Sequence, residues 1–439
     1  MRTSLRTGSR HHPERGVIIT LVAVVMLGVV GAMAALSIDV VTLYTARSEA
    51  QLAADGAALA GARVLANSGM TSKPTDAALT SNAETLASTV ATQVARNNEV
   101  GGRNLAGSEV TVSFPNAGSP SFGTDPHVTV RVQRTDLPTF FARIWGSKQL
   151  TVAASATAEA YNPSGADALG GPTTPVAPIC VKPWLLPNMD PTSPGNPIFV
   201  TTTGAIAPTA TALLGWETVP GTRLQTECAT PSGSSNCLTN NTPAQWRYYP
   251  GDPAAFPPPN ASSVVCPGCV GFTPYQLSIA GCVQTPISCN STVSIDTVSY
   301  PTRDAETATA VTDMTHSNAN EGDSVDGAAA PSPPFQFLTG ADNPVVLSGA
   351  VAAGRDVMVS DSLVTVPVID TTIWPGGFPS VQIIGFVQLF LNPAGQKVPG
   401  NNHIHTKVIN MAGCGTGATG QPILGNGASP VAVRLISPP

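Results

Sequence analysis

Apolar residues run from Val17 to Ile38 (VIITLVAVVMLGVVGAMAALSI) with no charge and no proline among them. About 20 such residues, at about 1.5 Å each, cross a hydrocarbon core of about 30 Å, so the run predicts a membrane span at 17–38. Asp39 ends it. A charge at mid-bilayer costs about 2.5–3.5 kcal/mol on insertion scales, which places Asp39 at the outer interface. The periodicity then changes without stopping. Leu43, Ala46, Ala50, Ala53, Ala57, Ala60 and Leu65 recur at helical spacing, with Arg47, Glu49, Asp55 and Arg63 between them. An amphipathic helix is therefore expected over 39–66, outside the membrane. Its alanine-rich face permits close approach. Asp39, Arg47, Ala53, Ala57 and Ala60 are the candidate helix-interface residues, facing either another helix or the chain's own body.

Asn67–Gly69 breaks this helix. A second is predicted over Thr75–Asn97, opening at Pro74 with Thr71, Ser72 and Thr75 as cap candidates. Its apolar side carries Ala78, Leu79, Ala83, Leu86, Val90 and Val94. Strands are predicted at Glu109–Phe114 and Val128–Gln133, the latter with Val128, Val130 and Val132 on one face. A short helix is expected at Leu137–Trp145, opening at Pro138, and a third strand at Leu150–Ala160. Together, 67–161 reads as a small α+β domain. Residues 162–178 (NPSGADALGGPTTPVAP) are a linker by composition. Beyond it, short apolar runs alternate with turns: Pro197–Thr201, Val345–Leu347, Val357–Val359, Leu363–Ile369, Val381–Leu391, Lys407–Ala412 and Val431–Ile436. These predict a β-rich module over 179–439, with 202–330 loop-rich. The fold class expected is α+β: an N-terminal transmembrane helix extended into the periplasm, then the small α+β domain, then the β-rich disulfide-containing module.

Composition sharpens the picture. Only 11% of residues are charged, and 35 of the 41 prolines lie from Asn162 onward. The net charge is −6, and residues 161–439 alone carry 8 Lys+Arg against 16 Asp+Glu. An acidic body of that kind has no general attraction to nucleic acid. The tail 1–16 holds Arg2, Arg6, Arg10 and Arg15 against Glu14, which predicts a cytoplasmic N-terminus and an exported body. All eight cysteines (Cys180, Cys228, Cys237, Cys266, Cys269, Cys282, Cys289 and Cys414) follow the span, as disulfides in an oxidising compartment would. Proximity favours pairing Cys228 with Cys237 and Cys282 with Cys289. The same apolar run also allows a secretory signal cleaved at Ala32-Met33-Ala34.

Gly16, the uncharged span, Ile38-Asp39, Leu43-Tyr44, Arg47, Gln51-Leu52-Ala53-Ala54-Asp55 and Ala57–Ala62 carry a resemblance. With them, the chain resembles the N-terminal segment of Flp (tight-adherence) pilus-assembly TadE/G-like proteins, and the likeness runs over residues 14–162. It implies a bacterial single-pass inner-membrane protein with a periplasmic body, partnered by other inner-membrane pilus-assembly proteins. It supplies no catalytic or cofactor-binding residues. Gly56 departs from the family's alanine and Ala50 from its larger apolar residue. Prepilin-type cleavage after Gly16 would want Glu where Leu21 stands. The metal-dependent adhesion domain of some longer relatives is marked by D-x-S-x-S, and no Asp here begins that motif.

Cys266-Pro267-Gly268-Cys269 has the spacing of a redox dithiol or half a zinc site, yet in an exported chain structural disulfides are the expected use. His403 and His405 would share a strand face, with no third ligand nearby. His316 near Asp313, Glu321, Asp323 and Asp326 lacks the calcium-loop pattern and reads as solvated loop charge. Gly415–Gly420 matches G-x-G-x-x-G, but Pro422 follows in place of a helix, so the match is a glycine-rich turn. The expectation is a non-enzymatic component of pilus assembly or surface attachment, with no catalytic residue, cofactor or metal. The alternative is an exported envelope module binding glycan or protein from the same anchor.

Overall fold

One helix, α1 (Glu14–Asn67), carries the apolar run and the amphipathic segment after it without interruption. The structure is a computed structural model that describes residues 14–142, 146, 149–162, 164, 176–188, 197–207, 214, 217–218, 247–248, 271–281, 283, 285–294, 300–328, 331–356, 360–370, 380–398, 404–415 and 427–436. The chain forms two compact units. The first takes residues 1–54, 94–111 and 131–155, the second residues 55–93, 112–130 and 156–439.

After α1 the chain turns at Gly69, whose φ of 84° is open to glycine. A Cβ there would stand 3.2 Å from both the Ile409 carbonyl oxygen and Leu214 Cδ1. Helix α2 follows (Ala77–Arg96). Its cap is Asp76, whose carboxylate accepts from Leu79 N at 3.0 Å, in place of the cap candidates Thr71, Ser72 and Thr75. Leu79, Ala83, Ala87, Val90, Ala91 and Ala95 form its buried stripe. Ala87, Ala91 and Ala95 join the stripe, where small residues allow the closest contact, while the expected Leu86 and Val94 are half-buried beside it and Ala78 is exposed. Gly61 of α1 shows that closeness: a Cβ on it would meet Ala91 Cβ at 3.3 Å and Val128 Cγ2 at 3.2 Å.

Strands β1 (Val110–Ser113), β2 (His127–Pro138) and β3 (Gln149–Tyr161) occupy the predicted positions. Val128, Val130 and Val132 are fully buried, as the alternation requires. The expected helix from Leu137 is absent at its start, because β2 runs on through Leu137 to Pro138. A proline suits the end of a strand as well as the start of a helix. Residues 143–145 lie outside the described set.

The remaining strands are β4 (Trp184–Pro187), β5 (Glu217–Thr218), β6 (Arg247–Tyr248), β7 (Thr292–Ser294), β8 (Ser324–Val325), β9 (Phe337–Leu338), β10 (Leu363–Ile369), β11 (Ser380–Leu391), β12 (Thr406–Gly413) and β13 (Ala432–Ile436). A seven-stranded sheet has the order β5-β12-β11-β10-β4-β6, with β7 also on β11, and β8 pairs with β9. Every residue of β10 and β12 is buried. Burial on both faces explains why LVTVPVI reads as a continuous run and not an alternation. Strand β13 does not join this sheet. It pairs antiparallel with β3, Tyr161 opposite Ala432 and Thr157 opposite Ile436, and closes the order β1-β2-β3-β13. The sequence expectation had placed it in the C-terminal module.

Three further corrections concern the second unit. Residues 345–347 belong to a short helix, α5 (Pro344–Leu347), not a strand. Of 197–201, only Val200 makes a β-bridge, to Ile206, and 357–359 lie outside the described residues. The stretch read as loops contains α3 (Pro274–Ala280) and α4 (Tyr300–Met314). Thr273 and Gln276 cap α3 reciprocally, and Tyr275 Oη lies 2.8 Å from Thr307 Oγ1 on α4. Lys182, buried, donates to the Ile279 and Gly281 carbonyls at the other end of α3. Burial brings its amine down to about 8.

Cys289 is bonded to Cys414, not to Cys282 as proximity suggested. The sheet decides the pairing: Cys414 follows β12, Cys289 precedes β7, and both β7 and β12 pair with β11. Cys180 is also disulfide-bonded. Cys228, Cys237, Cys266, Cys269 and Cys282 lie outside the described residues.

Candidate functional site

The large apolar side chains from Ile18 to Ile38 are exposed, with Ile19 at 71% and Leu27 at 75%. Burying apolar surface gains about 25 cal/mol per Å², so a helix bared in this way is a candidate membrane span. Among the described residues, α1 is the single helix long and apolar enough to cross a membrane. Ser37 and Thr42 return their hydroxyls to the helix, donating to the Ala34 carbonyl at 2.6 Å and the Ile38 carbonyl at 2.9 Å. Polar groups near the exit thereby find partners without water.

Asp39 is 4% exposed. Its carboxylate accepts three backbone amides, from Phe140 at 2.9 Å, Phe141 at 3.0 Å and Ala142 at 2.6 Å. The Phe140 amide leads the hydrogen bonds that hold its pKa below the ordinary 3.8, against the opposing effect of burial. Two more tethers follow along the helix. Glu49 Oε2 accepts Gly101 N at 2.6 Å, and Gln51 Nε2 donates to the Ser155 carbonyl at 3.3 Å. Around Gly101, buried Arg134 donates to the Val100 and Gly101 carbonyls and, at 2.8 Å, to Asp136. Arg103 binds Glu109 through both terminal nitrogens and reaches Asp136 at 2.7 Å. Arg134 and Arg103 together pull the Asp136 carboxyl down to about 2. The first unit thus grips α1 just past the apolar run.

The small-residue face is spent inside the chain. Ala53 and Ala57 have no exposure and Ala60 has 5%. Of the two partners left open for this face, the structure takes the chain's own body. Of the five interface candidates only Arg47 is exposed. The open side of the helix past Asp39 is instead Val41 (63% exposed), Tyr44 (70%) and Leu52 (69%). Sequence reasoning passed over these three because it followed the alanine repeat. The signal was present in their own spacing of three and eight, which returns to one helix face.

Other residues weighed for chemistry separate. His316 Nε2 lies 3.0 Å from Asp361, not among the acids near it in sequence, and Asp361 raises its pKa. Asp323 is buried and not solvated: it accepts from Gly340 N, Asn343 Nδ2 and Ser360 Oγ. His403 and residues 416–420 lie outside the described set, while the Gly415 amide donates to the Gly204 carbonyl at 3.0 Å.

A test of the exit clasp is Asp39→Asn, which removes the charge and half of the acceptors. Backbone amides 140–142 should exchange with solvent at least about tenfold faster in the variant. The lowered pKa fixes the sign of the pH dependence: the clasp contributes fully above pH 3.8 and is lost as pH falls through the folded value. The variant-to-wild-type ratio of exchange rates should therefore fall toward one in acid.

Residues 16–64 match the family model for Flp pilus-assembly TadE/G-like proteins. The match lies within α1 and does not include 65–162, to which the sequence resemblance had been extended. No curated protein and no solved structure matches the chain.

Proposed function

We propose that this chain, through the segment at 16–64, serves Flp pilus assembly as a non-enzymatic, single-pass inner-membrane component. The N-terminus would be cytoplasmic, from the four arginines of the tail, and the body periplasmic. The observation that carries the proposal is one continuous helix. Its apolar part is bare, its next part matches the same family model, and the first unit grips it at Asp39, Glu49 and Gln51. Such a helix suits a part that positions partners at the membrane surface. Val41 and Tyr44 offer other inner-membrane assembly proteins an apolar patch beside the headgroups, a depth at which tyrosine is favoured, and Leu52 continues the same helix face further out. Surface attachment follows as the cellular outcome.

The test is a chromosomal deletion complemented by wild type or by Val41→Asp/Leu52→Asp. The deletion should lose pili and attachment, and the double variant should insert normally yet fail to restore them. Unchanged pilus number in the deletion would refute the proposal.

A further inference from the structure

Asp125, His127 and Glu159 belong to no role described so far. Their ligand atoms lie within 4.8 Å of one another. Asp125 and His127 sit at the start of β2. Asn116 fixes them there, accepting from His127 N at 2.9 Å and donating to the Asp125 carbonyl at 2.8 Å. Glu159 lies on β3 opposite Arg434 of β13, and its side chain is 7% exposed.

The two separations from His127 are long for hydrogen bonds and suit two ligands of one ion. His127 Nε2 stands 3.4 Å from Asp125 Oδ2 and 3.6 Å from Glu159 Oε2, both beyond an ordinary N–H···O contact. Two ligands each about 2.0–2.2 Å from a zinc ion, at the tetrahedral angle, stand about 3.3–3.6 Å apart. His127 Nε2 and Asp125 Oδ1 are buried with no hydrogen-bond partner. Native proteins rarely leave such atoms unmet. Arg434 Nε donates to Glu159 Oε1. That bond occupies one carboxylate oxygen and leaves Oε2 toward the histidine, as an orienting outer partner does at metal centres.

We propose that Asp125, His127 and Glu159 form a three-ligand site for a divalent transition cation, zinc by donor set and spacing. One imidazole and two carboxylates make a nitrogen–oxygen set that zinc accepts, with the fourth position left to water. The ion would pin the start of β2 to β3 beside the β3–β13 pair. Sequence reasoning missed it because Glu159 is remote from the Asp-x-His pair, and a strand alternation at residues 157–161 gives no hint of a ligand.

The test uses the full chain in detergent, stripped with a chelator and titrated with zinc alone, then with cobalt as a spectroscopic probe. One equivalent of zinc is expected. His127→Gln and Asp125→Asn should each weaken it at least about tenfold, and bound cobalt should show tetrahedral visible bands that both variants lose. Asp125, at the start of the strand and partly exposed, is the substitution that spares the fold; circular dichroism and an intact Cys289–Cys414 bond verify this. No stoichiometric zinc in the wild type overturns the proposal. So does binding that neither variant weakens, because the ion then sits elsewhere, for instance at His403 or His405.

Discussion

Asn410→Ala should lower the stability of the second unit by about 3–5 kcal/mol, a large share of a typical domain's total. Asn410 lies in β12 with no exposure. Its amide donates to the Ala66 carbonyl and, at 3.0 Å, to Thr71 Oγ1. Its carbonyl oxygen accepts from Ser72 Oγ and, at 2.9 Å, from Met411 N. Alanine would strand these groups in the interior, at about 1–3 kcal/mol for each left unmet, and open a cavity. Neighbouring bonds point the same way: Asn162 Nδ2 donates to the Thr71 and Met411 carbonyls, and Gln388 Nε2 to Asn67 Oδ1 at 2.9 Å. Thr71 and Ser72 thus fasten the base of α1 to β12. Urea unfolding followed through buried Trp184 would read the loss. A change below about 1 kcal/mol would mean that this carboxamide is not what secures α1.

Replacing both Cys289 and Cys414 by alanine should cost the same unit about 3–5 kcal/mol. The bond spans 125 residues, and closing a loop of that size in the unfolded chain removes entropy worth about 4–5 kcal/mol in the chain-entropy treatment. No other cysteine lies between Cys289 and Cys414, so no second crosslink shortens this loop. Both sulfurs must go together, since a lone thiol could exchange with the remaining bonds. The denaturation midpoint of the double variant, against wild type and reduced wild type, measures the effect. An unchanged midpoint would show that the β-sheet alone fixes these ends.

The parts of this fold that could be read from the chain are those whose signal is local. Val17–Ile38 needs only length and apolarity, and Val128, Val130 and Val132 need only a period of two. Leu363–Ile369, Val381–Leu391 and Lys407–Ala412 need only a short apolar run bounded by turns. Helix α4 escaped because its stripe is Ala308, Ala310, Val311 and Met314 among threonines and acids, too faint to stand out. Helix α3 is a short piece whose Thr-Pro-Tyr-Gln start is plain only once the cap is seen. Pro138 permitted either a helix start or a strand end, and the amides beyond it serve Asp39, a partner about a hundred residues earlier. Long-range pairings were invisible for the same reason. Nothing near Cys289 points to Cys414, and nothing near Glu159 points to His127 or Arg434. At the exit site, Asp39 was legible as the end of the apolar run. Its three amide partners were not, and the open stripe of Val41, Tyr44 and Leu52 was hidden by a stronger alanine repeat.

The pairing of β13 with β3 sets an order of events during synthesis. The apolar helix near the N-terminus is made first, and β1, β2 and β3 follow soon after it. Their sheet still lacks the strand that covers β3, because Ala432–Ile436 is made only after residues 162–431 have been translated. Until then β3 carries a bare row of backbone donors and acceptors, open to any passing extended segment. Closing so long a loop is slow compared with local folding. The newborn protein therefore passes through an interval in which the edge of β3 is unpaired. A chaperone that shields strand edges would act in that interval, and would be released when the last strand arrives.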